Sequence, residues 1–396
     1  MPFLAELSTE PTSAVALEQV CSQAQACLSG RCDLACVFFS VHHASAARQI
    51  AQTLSDRLKP KVLLGCIAEA VIGNDREIEN QPALGLWLAR WTHPVRLTAF
   101  HLTLERTADG PALLGWPDEL GASEYESESS NQQSAVLLLG DPFTFPADLF
   151  LERLNEQAAG IPVLGGMASG ISSPGRCRLI LGNAVQDQGA VGVLLEGDLG
   201  LRCIVSQGCR PIGRPLVITR AENNVIFELG GRTPYEYLQE LWNTLSPRDQ
   251  ELFRRGLHIG RVVNEYQSDF QRGDFLIRNV LGLERHSGAL IITDQVRVGQ
   301  TVQFQVRDAQ SADEDLHALL QLGLSAGDRP PGGGLVFSCN GRGTRLFDQP
   351  DHDARVIRQE SGPIPLAGFF AMGELGPVGR QNFIHGFTAS VALFSE

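Results

Sequence analysis

Apolar residues run almost unbroken from Asp33 to Val41 (DLACVFFSV), the pattern of a strand covered on both faces. From His43 to Leu58 the pattern changes: Ala47, Ile50, Ala51, Leu54 and Leu58 return at helical spacing, and Pro60 ends the run. Lys61 to Gly65 (KVLLG) predicts a second buried strand, Gly73-Asn74-Asp75 a turn, and Ala83 to Leu88 (ALGLWL) a further strand. The same order recurs, with Ser134 to Gly140 as strand, Pro146 to Ala159 as helix, Ile161 to Gly165 as strand and Gly189 to Leu195 as the closing strand. A third copy has Leu335 to Cys339, Asp351 to Gln359, Ile364 to Gly373 and Phe383 to Phe394 in the same roles. The spacing of about 100 residues between the first two copies is too long for a solenoid and predicts duplicated strand-helix-strand-strand units inside domains.

The remaining segments frame these copies. Val15, Leu17, Val20, Cys21, Ala24, Cys27 and Leu28 recur at helical spacing before Gly30, which predicts a helix near the start. Between copies two and three, Leu201 to Val205 and Leu216 to Ile218 read as short strands. Thr233 to Leu245 reads as a helix with Thr233 as N-cap and Pro234 in its first turn. Leu257 to Asp308 alternates strand signals with turns, and Val302, Phe304 and Val306 against Gln303, Gln305 and Arg307 predict a strand with one wet face. Arg307 and Asp308 are expected to pair at the sheet edge. A helix is expected over Asp313 to Leu322, followed by a Gly- and Pro-rich return over Gly323 to Gly334. The expected fold is α/β in the broad sense (mixed α+β): two related domains of mixed β-sheets flanked by helices, over 1–225 and 226–396, with an acidic Ser-rich loop near 117–134.

Composition narrows the function. A chain of 396 residues exceeds one ordinary hydrophobic core. The net charge of -13, with no run of Lys or Arg, disfavours nucleic acid as a partner. No basic leader precedes Arg31, and no stretch of about 18 apolar residues occurs, so membrane insertion is not expected and a cytoplasmic location is. The 9 cysteines include no Cys-x-x-Cys pair and read as buried, reduced thiols. Neither a phosphate loop nor a Gly-x-Gly-x-x-Gly fingerprint is present, so no cofactor is expected. Asp351-His352-Asp353 points its side chains in different directions on a helix and reads as a solvated helix start, not as a metal site.

Several short motifs in order resemble one family. These are Gly65-Cys-Ile-Ala-Glu69-Ala-Val-Ile-Gly73 with Arg76-Glu77-Ile78-Glu79, then Asp274-Phe-Leu-Ile-Arg278-Asn279 and Val302-Gln-Phe-Gln-Val-Arg307-Asp308. Cys339-Asn-Gly-Arg342-Gly343, Gly373-Glu374-Leu-Gly-Pro and His385-Gly386-Phe-Thr388 complete the set. Together they resemble the FIST sensory proteins, in which a FIST-N domain precedes a FIST-C domain. The resemblance implies a sensory module for small ligands, with amino acids the usual proposal. The fused signalling or F-box segments of many relatives are not expected here, because the chain stops at Glu396 directly after the last strand. Output is therefore expected to pass through a separate signalling protein.

The ends of the third copy's strands carry the polar chemistry. Cys339, Asn340, Arg342 and Gly343 follow one strand, Gly373 and Glu374 another, and Asn382 and His385 lead into the last. An Arg fork among glycines suits a small carboxylate, and Glu374 suits an ammonium group. Arg342 and Glu374 would then clamp an amino acid or similar zwitterion, with Asn340, Asn382 and His385 orienting it. Glu69 is the first copy's counterpart of Glu374, and Ser169 the second copy's. Two alternatives stay open: a thiol-dependent enzyme using Cys339 and His385, with Glu374 as orienter, and a protein-interaction scaffold without ligand.

Overall fold

The computed structural model describes residues 2–27, 30–107, 110–121, 132–267 and 269–396; most of the acidic loop expected near 117–134 lies outside them. All three copies form. In copy one, Leu34–Ser40 and Val62–Ala68 lie parallel, joined through the helix Ala47–Leu58, and Leu84–Ala89 returns antiparallel on the other side of Leu34–Ser40. Copy two repeats this with Gln133–Gly140, Ala147–Gln157, Val163–Met167 and Ala190–Gly197. Copy three repeats it with Pro331–Cys339, His352–Ser361, Leu366–Ala371 and Thr388–Ser395. Parallel strands need a crossover of a dozen or more residues, which the helix supplies. Copy one's three strands are buried at every residue, which is why they are apolar without alternation.

One glycine per copy fixes how closely the parallel strands approach. Gly65 sits opposite Val37, Gly165 opposite Leu138 and Gly368 opposite Val336. At each of the three, a Cβ would run into the partner's carbonyl oxygen. These glycines are therefore architectural.

No copy completes its own sheet. Copy one's hairpin, Ala70–Gly73 with Arg76–Glu79, pairs onto Leu366–Ala371 of copy three. Copy two's hairpin, Leu179–Leu181 with Ala184–Gln186, pairs onto Val62–Ala68 of copy one. Copy three's hairpin, Glu374–Val378 with Gln381–His385, pairs onto Val163–Met167 of copy two. The exchange is cyclic. A leading strand adds to the closing strand of each copy: Phe3–Ser8, Val95–Thr107 and Arg202–Gln207 respectively. Aromatic contacts such as Phe38 with Phe369, 5.2 Å between ring centres, join copies one and three in a shared core.

The contacts divide the chain otherwise than the linear reading does. One compact unit comprises Met1–Val205, Leu316–Ile384 and Thr388–Glu396; the other comprises Ser206–Asp315 and His385–Phe387. In copy one, the leading strand is followed directly by the helix Ser13–Cys27. In copy three, the second unit interrupts the chain from near the end of the leading strand Arg202–Gln207 to Asp315, within the helix Ala309–Ser325. Third-copy strands thus group with those of the first two copies and not with the antiparallel segment.

The second unit is a barrel-like antiparallel sheet. Its order runs Leu216–Glu222, Val225–Leu229, Leu290–Ile292, Phe275–Leu283, Leu257–Val262 and Thr301–Arg307, and the last strand pairs back onto the first. Pro234–Thr244 starts with the capping box of Thr233 and Glu236, as the N-cap signal predicts. Two expectations fail here. Gln303 and Gln305 are buried with Val302, Phe304 and Val306, and Gln303 donates to the Gly213 carbonyl at 2.7 Å, so the face expected to be wet is dry. Asp308 pairs with Arg210 at 2.7 Å and Arg248 at 2.9 Å, while Arg307 lies over the Phe387 ring.

Candidate functional site

The loop after Pro331–Cys339 is tied to the copy-one hairpin. Asn340 N–H donates to the Ala371 carbonyl at 2.9 Å, and the Arg342 N–H turns back to Cys339 at 2.8 Å. Gly343 has φ +56, and a side chain there would meet the Phe370 ring and the Glu79 carboxylate. Thr344 donates to Glu79 from both its backbone N–H, at 2.9 Å, and its hydroxyl, at 2.8 Å. Arg345 pairs with Glu69 and also donates to the Asn340 carbonyl at 2.6 Å.

Arg342 is sealed from solvent, and so is its partner Asp353. Nε and Nη2 donate to the two oxygens of Asp353, each at 2.7 Å. Burial would raise the Asp353 carboxyl, but Arg342 and His352 overcome it and hold the group well below the usual carboxylate range. Ser338 and His352 complete its partners at 2.7 and 2.9 Å, and the His352 ring stacks on Phe347. The expected solvated helix start is thus corrected: the Arg342 guanidinium, bonded through Nε and Nη2, draws Asp353 into the interior. Glu77 lies beside this pair, its carboxyl raised first by burial and then by the Asp353 charge. Its backbone N–H donates to Asp351 at 2.6 Å, and its Oε1 accepts from Ala354 N–H at 2.9 Å.

Glu374 is equally buried. Its Oε2 accepts from the Thr388 N–H at 3.1 Å and hydroxyl at 2.8 Å. Burial pushes its carboxyl up to about 8, with Thr388, the Cys339 thiol and Arg342 offsetting part of the rise. Arg342 Nη1 and Glu374 Oε1 are both buried with no hydrogen bond, and Glu77 Oε2 is a third such atom. Cys339 is 7% exposed and its sulfur accepts from Gly341 N–H at 3.5 Å.

The structure therefore brings Cys339, Arg342 and Glu374 into one electrostatic cluster. Asn340 and Gly343 shape the loop over it, and Gly373, with φ +137 and Ile384 and Met167 against it, turns the chain into Glu374. Asn382 has a different role from the orienting one expected of it. Its Oδ1 accepts from Val163 N–H at 2.7 Å, and its Nδ2 donates to Ile161 at 2.8 Å and Asn155 at 3.2 Å, fastening the exchanged hairpin. His385 is buried and groups with the second compact unit. Asp353 and Glu77 are the members that sequence reasoning missed. The available signal was the position of Asp353 in the first turn of a helix, 11 residues after Arg342 in the loop that follows the strand Pro331–Cys339. Three cavities, of about 760, 830 and 400 Å³, lie elsewhere and include none of these residues.

Among the described residues, no helix is long and apolar enough to cross a membrane. The FIST N domain model matches residues 33–232 and the FIST C domain model residues 234–377. The chain is 42% identical over 391 residues to the uncharacterized protein Rv0628c of Mycobacterium tuberculosis (strain ATCC 25618 / H37Rv), covering 98% of both chains. It is 41% identical over 392 residues to the uncharacterized protein Mb0898c of Mycobacterium bovis, covering 98% of this chain and 97% of that one.

Proposed function

The chain belongs to the FIST family, whose domains are associated with sensing and signal transduction, and on that premise we propose that it is a cytoplasmic sensor of an amino acid or similar small zwitterion. The reading rests on one observation: Arg342 Nη1 and Glu374 Oε1, a donor and an acceptor in one cluster, are both buried and unused. A buried polar atom without a partner costs roughly 1–3 kcal/mol, and a ligand carboxylate on Nη1 with its ammonium on Oε1 removes both penalties. Asp353 then holds the guanidinium in place, so only the Nη1 nitrogen is left for the ligand, a narrower grip than a full fork.

Entry requires the 340–346 loop to lift. Its outer tethers, Arg345 to Glu69 and Thr344 to Glu79, are partly exposed contacts of the kind that contribute little. Their release would shift the copy-one hairpin, and a separate signalling protein would read that change. A thermal-shift screen over the amino acids tests the reading: the expected result is stabilisation by at least one of them, reduced in Glu374→Gln, and a flat response across the set removes it.

A further inference from the structure

The three copies offer three equivalent places, where the chain leaves the first strand beside a hairpin borrowed from another copy. In copy three this place is closed by two ion pairs, Arg342 with Asp353 and Arg345 with Glu69 just before the hairpin, and by the hydrogen bond from the Thr344 hydroxyl to Glu79 of the hairpin. In copy two, Asp141 fills it, fully buried and bonded to Phe143 N–H and the Thr144 hydroxyl. Copy one is different. There a cavity of about 760 Å³ stays open, lined by Val41, Ala44, Ala47 and Val185 as its apolar wall and by Arg48, Arg176, Arg178 and Asp187 as its charged groups.

The arginines are what call for a ligand. Arg48 stands at the start of the helix Ala47–Leu58, directly after the short turn of helix Val41–Ala46 that follows the strand. Arg176 and Arg178 arrive on the chain leading into the hairpin that copy two lends to copy one. Among the described residues, Arg48 and Arg176 form no ion pair or hydrogen bond. Arg178 donates only to the carbonyls of Gly175 and Cys177, at 3.0 and 2.6 Å. Three guanidiniums against one carboxylate make a positive cavity in a chain whose net charge is -13. Acids are plentiful elsewhere, yet the corresponding hairpin in copy three carries them and this one does not.

We propose that this cavity binds a small organic polyanion, a phosphate ester or a di- or tricarboxylate, gripped by Arg48, Arg176 and Arg178. Planar guanidiniums match both anion types through paired N–H donors, and the volume suits a small molecule. The apolar wall takes the carbon frame, and Asp187 accepts from a hydroxyl group. This site shares no residue with the Arg342 and Glu374 centre.

Calorimetric titration with glucose 6-phosphate and with citrate tests the proposal, each measured against potassium chloride at matched ionic strength. The expected result is one-to-one binding of at least one probe, weakened by about tenfold or more in the Arg48→Ala/Arg176→Ala double variant and unchanged in Glu374→Gln. Both substituted arginines are exposed, and circular dichroism checks that the variant keeps its fold. Binding of glucose 6-phosphate alone assigns the site to phosphate esters, and of citrate alone to carboxylates. Neither probe binding above chloride, or binding that survives in the double variant, overturns the proposal.

Discussion

Asp353 grips Arg342 through two bonds of 2.7 Å, and neither side chain reaches solvent. Removing one member of such a pair strands the other as a buried charge, at a cost of about 3–5 kcal/mol. Asp353→Ala should therefore unfold the protein at much lower denaturant than wild type. By contrast Arg345→Ala, which breaks the half-exposed pair with Glu69, should cost about 1 kcal/mol or less. Urea melts of the two variants compare the costs directly, and equal losses contradict the assignment.

The architectural glycines give a second prediction. Gly165→Ala and Gly368→Ala force a methyl group onto a carbonyl of the neighbouring parallel strand. Each should cost about 3 kcal/mol or more, or prevent soluble expression. Gly175→Ala, at an open turn with nothing near the added atom, should cost only its positive-φ strain, about 1 kcal/mol. Thermal melts of the three variants rank them.

Glu374 sets a pH dependence. Its carboxyl titrates near 4.5 when unfolded and about 8 when folded, so between these values the folded chain holds a proton that the unfolded chain has lost. Stability from this group is full below about pH 4.5 and declines as pH rises through 8. Glu374→Gln should match wild type near pH 5 and exceed its melting temperature by about 2 °C or more at pH 9. A difference that grows toward acid instead would contradict the buried, protonated carboxyl.

Thiol reactivity separates the sensor from the enzyme reading. Cys27 is exposed, whereas burial raises the thiols of Cys36, Cys66 and Cys177 and pushes Cys32 and Cys203 up to about 12. Iodoacetamide should label Cys27 first, with Cys339, 7% exposed, well behind. Mass spectrometry reads the order, and Cys339 labelling ahead of Cys27 would favour a thiol nucleophile.

The three copies were legible because strands buried on both faces write continuous apolar runs, and amphipathic helices separate them. The cyclic exchange of hairpins was not. Ala70–Gly73 pairs with Leu366–Ala371 across most of the chain, and nothing local in AVIG names that partner. Gln303 and Gln305 show the limit of alternation, since a polar residue reads the same whether water or a carbonyl satisfies it. Glycines around Cys339 and Glu374 drew attention to residues that the fold brings together with Arg342, although the motif's mirrored glycine, Gly368, serves strand packing. Asp353 looked like an ordinary acid at a helix start. Only the fold shows that Arg342 lies opposite it, which changes the guanidinium from an open fork to a single spare donor.

The most direct measurement of the central claim is calorimetric titration of the purified chain with each amino acid, in wild type and Glu374→Gln. The account predicts one-to-one binding of at least one amino acid near pH 7, with release of the Glu374 proton as the ammonium arrives and affinity lowered about tenfold or more in the variant. No binding by any of them, or binding that is unaltered in Glu374→Gln, would contradict it.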